Sequence, residues 1–370
     1  MEELRMRRFV CAVVILVSLA IGRSFAEPTP KASLLVLSKQ DHTLAIVDPA
    51  DLHVVARIPV GDDPHEVEAS ADGKTAYVSN YGFGAFHTLC VIDLINQKQV
   101  RFIDLGALRG PHGLHFALGK VFFTAEAAKA IGSYDPATDK IDWVMGTGQD
   151  RTHMLYVFPD GKRIATTNVN AATVTIMEQV AARPFGPPPG MMPPPGANGQ
   201  SGPGGQQGPP PGMPQGPPPP PGPNWELTVI PVGHGSEGFD ISPDLKQDWV
   251  ANAQDGTISI IDIAAKTVTA TLDVNARGAN RLKFTPDGKL ALLSAGPEVV
   301  IVDAATHKVI KRLTTGGFGG GIQMQPDGAR AYVATGGANY VAVIDLKTLE
   351  VVGKIDAGGG PDGLAWAVQR

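Results

Sequence analysis

The chain has 370 residues, 31 Lys and Arg against 36 Asp and Glu, a formal net charge of −5 and two cysteines. There is no basic run beyond the first residues, so nucleic acid is not an expected partner. Cys90 is the only cysteine after position 26, which excludes an internal disulfide downstream of it.

The first predicted element is an export signal over 1–26. Arg5, Arg7 and Arg8 form a basic start, residues 9–22 are apolar, and Ser24-Phe25-Ala26 is a small-residue cleavage site, with cleavage expected after Ala26. The apolar run is short of the roughly 20 residues that span a bilayer. The expected product, 27–370, is periplasmic or secreted, keeps no stable membrane span and is monomeric. Its stability must come from a large core.

Strand-like runs follow at 33–38, 43–48 and 53–59. From there a unit of about forty residues recurs, starting near positions 61, 107, 147, 232, 274 and 315. Each unit carries three marks. A small-residue or histidine turn opens it, as in Asp63-Pro64-His65, Gly110-Pro111-His112, Arg151-Thr152-His153 and Gly360-Pro361-Asp362. A tight turn such as Pro286-Asp287-Gly288 or Pro326-Asp327-Gly328 follows, where Pro presets φ and Gly accepts a positive one. An acidic residue closes the third strand: Asp48, Asp93, Asp135, Glu178, Asp262, Asp303 or Asp345. Four antiparallel strands per unit is one propeller blade. Six complete units, three strands at the start and one at 363–368 add to seven. The expected fold is therefore all-β: a seven-bladed β-propeller of four-stranded antiparallel blades, closed by N- and C-terminal strands in one composite blade.

One segment breaks the pattern. Residues 184–224 hold more than half of the 32 prolines and show no apolar periodicity. The stretch is expected to be a disordered insertion within the third full blade. It joins that blade's third and fourth strands, which places it on the bottom face, opposite the turns that open the first strands. A tether or docking segment and a tolerated surface insertion are both open readings.

The motifs Pro111-His112-Gly113, Pro286-Asp287-Gly288-Lys289, Tyr77-Val78-Ser79-Asn80 and Val343-Ile344-Asp345-Leu346 together resemble the YVTN-type β-propeller repeat family, which includes exported bacterial proteins of the YncE-like group. The resemblance covers the chain from residue 27 on, apart from the insertion. It implies a propeller and, for function, binding or scaffolding. Three units depart from it: Ala117-Leu118-Gly119 stands for the Pro-Asp-Gly turn, Glu178 for Asp, and Ser294-Ala295 where Asn is expected.

Since strand direction alternates, residues at the start of each innermost strand should ring the top of the central channel. That ring reads His65, His112, His153, Glu237, Asn280, Gly320 and Asp362. His65, His112, His153, Glu237, Asn280 and Asp362 are the candidate ligand-binding residues. His65, His112, His153 and Glu237 could hold a divalent metal such as Zn or Cu, bind a polar ligand, or serve only as turn residues. Tyr81, Phe83, Phe86 and His87 lie in a long top loop that could wall a pocket. Strand alternation puts His115 on the face opposite His112.

The expected function is an exported, non-catalytic binding or scaffold propeller that takes a small polar ligand or an envelope protein at the channel mouth. The alternatives are a metal-assisted hydrolase, lactonase or lyase using the histidine ring, and an accessory subunit of a periplasmic redox enzyme. Against the last, no Cys-based copper or c-type haem motif is present.

Overall fold

A computed structural model describes residues 27–181 and 224–370. The predicted signal and nearly all of the Pro-rich insertion lie outside the described residues. The described chain forms seven four-stranded sheets, each antiparallel and, in six of the seven, in simple sequence order. The seventh is composite. Pro361–Val368 pairs with Ala32–Ser38, followed by Thr43–Val47 and Val54–Pro59. Its register runs from Ala32 opposite Val368 to Ser38 opposite Pro361, which joins the two ends of the sheet ring. Blades 1 to 6 are counted from Pro64, and the composite blade is the seventh.

The inner strands are Pro64–Ala69, Pro111–Ala117, Thr152–Val157, Ser236–Ile241, Ala279–Phe284, Gly319–Met324 and Pro361–Val368. Each contacts the inner strands of both neighbours, so they line one axis. Middle strands are buried on both faces, as Thr75–Asn80 and Arg330–Thr335 show. Outer strands such as Lys140–Gly146 alternate exposed and half-buried. Their exposed positions carry charges, Lys140 and Asp142 among them, that discourage pairing with another chain.

The core is not one mass but seven apolar layers between blades. Leu35, Leu37 and Ile46 of blade 7 meet Val67, Val78 and Cys90 of blade 1, and Trp249 and Ile258 of blade 4 meet Leu282, Leu293 and Val300 of blade 5. Each fully buried Leu, Ile or Val contributes about 1.5–3 kcal/mol. Burial pushes the Cys90 thiol up to about 12, which keeps it inert.

The turn marks act as their residue types require. Asp303 Oδ1 accepts the amides of Ala305 and Thr306 at 3.1 and 2.7 Å, and Asp345 Oδ1 those of Lys347 and Thr348 at 2.9 and 2.8 Å. Gly288 and Gly328 sit at φ 71° and 75°. The departures have local causes. Leu118 and Gly119 form a shorter hairpin with φ 55° and 77°. Glu178 is not a turn cap, because its strand runs on to Val180, which pairs with Asn224; it binds Lys266 instead.

In every blade the pairing of the innermost strand with its neighbour slips near the strand start, between Pro111 and Leu114 in blade 2 for example. Such a bulge re-aims side chains. It overturns the expected separation of His112 and His115. His112 stands in the top ring, and His115 lines the same channel one layer lower.

Candidate functional site

The ring position and its geometry depend on hydroxyl residues two strands away from the solvent. Ser79 Oγ accepts the Glu66 amide (3.0 Å) across the bulge and donates to the His112 carbonyl of the next blade (2.9 Å). Thr124 does the same for Gly113 (2.9 Å) and His153 (2.7 Å), Thr167 for Met154 (3.3 Å) and Glu237 (2.9 Å), and Ser294 for Arg281 (3.1 Å) and Gly320 (2.8 Å). Each tie holds one ring residue's backbone to the preceding blade. Asn80, Asn168 and Asn252 are spent on local caps; Asn80 donates to the Val60 and Asp62 carbonyls at 3.0 and 2.9 Å.

Three imidazoles gather at the mouth. His65 and His112 have ring centroids 4.1 Å apart, and His112 and His153 3.8 Å apart. Tyr81 from the long top loop packs on His65 and His112 at 5.0 and 5.1 Å. Phe83 of that loop points away and is 91% exposed, so it walls nothing. His87 is exposed and pairs with Asp104 at 2.8 Å, outside the mouth.

His153 is fully enclosed and lies between two carboxylates, Glu126 Oε1 at 2.5 Å from Nδ1 and Glu237 Oε2 at 2.8 Å from Nε2. The first contact is a directed hydrogen bond; the second is close but poorly aligned with the ring N–H. Burial depresses His153, but Glu237 and Glu126 outweigh it and hold the imidazolium above its ordinary range. Burial acts the opposite way on Glu237, and the charge of His153 overcomes it, taking the carboxyl down to about 2. Arg151 NH1 adds a contact to Glu237 at 3.1 Å, and Tyr81 donates to Glu126 Oε2 at 2.5 Å. His112 has no exposed surface and no partner on either ring nitrogen. Burial, with His153 and His65 alongside, keeps it well below its ordinary range and therefore neutral.

The other side of the mouth is different. His65 is partly exposed; burial first, then Lys39 and Arg281, against the pull of Asp362, bring it to about 4. Lys39 donates to its Nδ1 and lies 3.3 Å from Asp63 and 3.2 Å from Asp362. Gly319 and Gly320 offer no side chains at their ring position. Over them opens a cleft of about 350 Å3 bounded by Lys39, His65, Asn280, Phe318 and Asp362.

Beneath the ring, Arg281 of blade 5 reaches across the axis to Glu66 of blade 1, and also donates to Asn280 Oδ1 at 2.9 Å. This strap separates the mouth from a lower channel of about 150 Å3 lined by Glu68, His115, Tyr156, Asp240, Lys283 and Gln323. Lys283 lies 3.3 Å from Asp240, and burial pushes Glu68 up to about 8.

The structure thus brings His65, His112, His153 and Glu237 into one contiguous group, with Asn280 and Asp362 on the cleft wall. His65 Nδ1 is taken by Lys39 and Glu237 is held by Arg151, while the donor atoms of His112, Glu126 and His153 lie within 4.8 Å of one another. Glu126, Lys39, Glu66 and Arg281 were not legible as site residues. Glu126 follows the second strand of blade 2 in a short 3-10 turn, at a position that no repeat mark shares.

No family model matches the chain, and no curated protein does. Solved structures do. A protein of unknown function from Desulfotomaculum acetoxidans DSM 771 superposes with TM-score 0.68 at 14% identity, over 91% of this chain and 99% of that one. A candidate 6-phosphogluconolactonase from Bacteroides fragilis NCTC 9343 gives 0.65 at 16% identity, over 91% and 98%. Dihydro-heme d1 dehydrogenase NirN, solved in complex with DHE, gives 0.58 at 16%, over 93% and 76%. These likenesses establish the class, a seven-bladed β-propeller, and nothing finer. No helix among the described residues is long and apolar enough to cross a membrane.

Proposed function

We propose that the chain is an exported binding propeller of the cell envelope that takes a small polar ligand at the mouth of its channel. One observation carries this: the cleft of about 350 Å3 over Gly319 and Gly320, walled by Lys39, His65, Asn280 and Asp362. An ammonium, a neutral imidazole, a carboxamide and a carboxylate supply donors and acceptors at short range, and Phe318, more than half exposed, supplies an apolar face at the rim. A compact hydroxylated molecule fits that chemistry, with hydroxyls on the polar wall and carbon faces against the ring. Lys39 is already balanced by Asp63 and Asp362, and Arg281 by Glu66, which suits holding a ligand by hydrogen bonds. The signal-like residues 1–26 and the resemblance to YncE-like repeats support the cellular location.

The test is thermal unfolding of residues 27–370 against a panel of sugars, sugar acids and amino acids. A true ligand raises the midpoint by a few degrees near saturation. A Cβ at Gly320 would stand 2.9 Å from Asp362 Oδ1, and the backbone there is not in the left-handed region, so Gly320→Leu fills the cleft by displacing that carboxylate and not by straining the backbone. That variant, measured against its own ligand-free midpoint, should lose the shift. A shift that survives in Gly320→Leu places the ligand elsewhere and ends this reading.

A further inference from the structure

The closed side of the mouth holds donors that the cleft does not use. Both nitrogens of His112 lack a hydrogen-bond partner although the side chain is fully enclosed. Leaving a buried polar atom so is unfavourable, and native structures keep few of them. One donor atom each from His112, Glu126 and His153 lies within 4.8 Å of the other two. Two imidazoles and one carboxylate, with a fourth position left to water or another ligand, is a donor set that zinc uses.

We propose that His112, Glu126 and His153 form a binding site for a divalent first-row transition metal, with Zn2+ as the best-matched ion. The site stands on residues other than those of the cleft and does not depend on the cleft binding anything. Metal–ligand bonds of about 2.0–2.1 Å put tetrahedral donors about 3.3 Å apart. The donor atoms already lie within 4.8 Å of one another; Glu126 Oε1 and His153 Nδ1, 2.5 Å apart in a hydrogen bond, open to about 3.3 Å as the metal takes the place of the proton between them. The surrounding shell is already in place to orient them. Tyr81 donates to the second Glu126 oxygen, and Glu237 stands against the other nitrogen of His153. Arg151, 3.6 Å from Glu126 Oε1, opposes a cation electrostatically and lies over the set with a third of its side chain exposed. Its removal should therefore tighten binding.

The experiment uses untagged protein, stripped with chelator and titrated with Co2+, then with Zn2+. One equivalent of Co2+ should bind with the visible absorption of a low-coordinate site, and Zn2+ should bleach it. His112→Leu and Glu126→Gln should each weaken uptake by more than the roughly 10–100-fold that loss of an outer-shell partner costs. Arg151→Met should bind more tightly, and His65→Ala as the parent does. Three results overturn the site. They are a folded parent that takes up no stoichiometric Co2+, uptake unchanged in His112→Leu, and uptake lost in His53→Ala, which would assign the metal to the surface group of Asp48, Asp51 and His53. The ligand panel, run on the same samples, reads the cleft separately, so either idea can fail without the other.

Discussion

Around the mouth, the arc over blades 2 to 4 is packed shut while the arc over blades 5 to 7 is open, although both present the same position of the inner strand. In the closed arc that position is His112, His153 and Glu237, and the neighbouring Glu126, Arg151 and Tyr81 interlock with them. In the open arc it is Asn280, Gly320 and Asp362, and a cleft remains. The backbone ties are alike on both sides: Thr124 holds His153 as Ser294 holds Gly320. The propeller frame therefore fixes where the ring lies, and side-chain volume at one repeated position decides whether that part of it holds charge internally or offers space.

The strap between Arg281 and Glu66 joins the two arcs, and breaking it is the largest expected effect. Arg281→Met leaves Glu66 enclosed without its cation and should cost about 3–5 kcal/mol in urea unfolding, most of it regained in Arg281→Met with Glu66→Leu. A single variant within 1 kcal/mol of the parent would mean that the arcs stand independently, contrary to the geometry. Next comes His112 in the closed arc. If its nitrogens are unpartnered in the metal-free protein, His112→Leu should stabilise by about 1–3 kcal/mol. A loss instead would show that water or an ion already satisfies the ring. Beneath both arcs, Glu68 separates effects of the mouth from effects of the lower channel. Its carboxyl is held protonated up to about 8 against an ordinary 4.5. Between those values the unfolded chain has released the proton and the folded chain has not, so stability should fall as pH rises from about 4.5 to about 8. The slope is at most about 1.4 kcal/mol per pH unit. Glu68→Gln should flatten that part of the profile in thermal melts, and an unchanged profile would mean that Glu68 is hydrated in the channel.

How much of this is legible in the chain follows from the range of the interactions. Blade number, the composite seventh blade and the ring at His65, His112, His153, Glu237, Asn280 and Asp362 rest on marks repeated every forty or so residues, and neighbouring strands enforce them locally. The site's second half does not repeat. Arg281 meets Glu66 across 215 positions, and Glu126 meets His153 from a loop position that no repeat mark shares. His115 was misplaced for a related reason, since a bulge of one residue resets the alternation that would otherwise send it away from the axis. The expected metal set drew only on ring residues, whereas Glu126, whose donor atom lies within 4.8 Å of those of His112 and His153, stands outside the repeat marks.

The pairing of Pro361–Val368 with Ala32–Ser38 bears on the order of assembly. Asp362 belongs to the last strand and Lys39 to the first hairpin, yet they meet at 3.2 Å on the same wall of the cleft. Contacts of such sequence separation form late, after the loop entropy of nearly the whole chain has been overcome. A chain that lacks its last strand lacks Asp362 and with it one wall of the cleft, so the proposed ligand capture would report completed folding and not mere presence of the propeller.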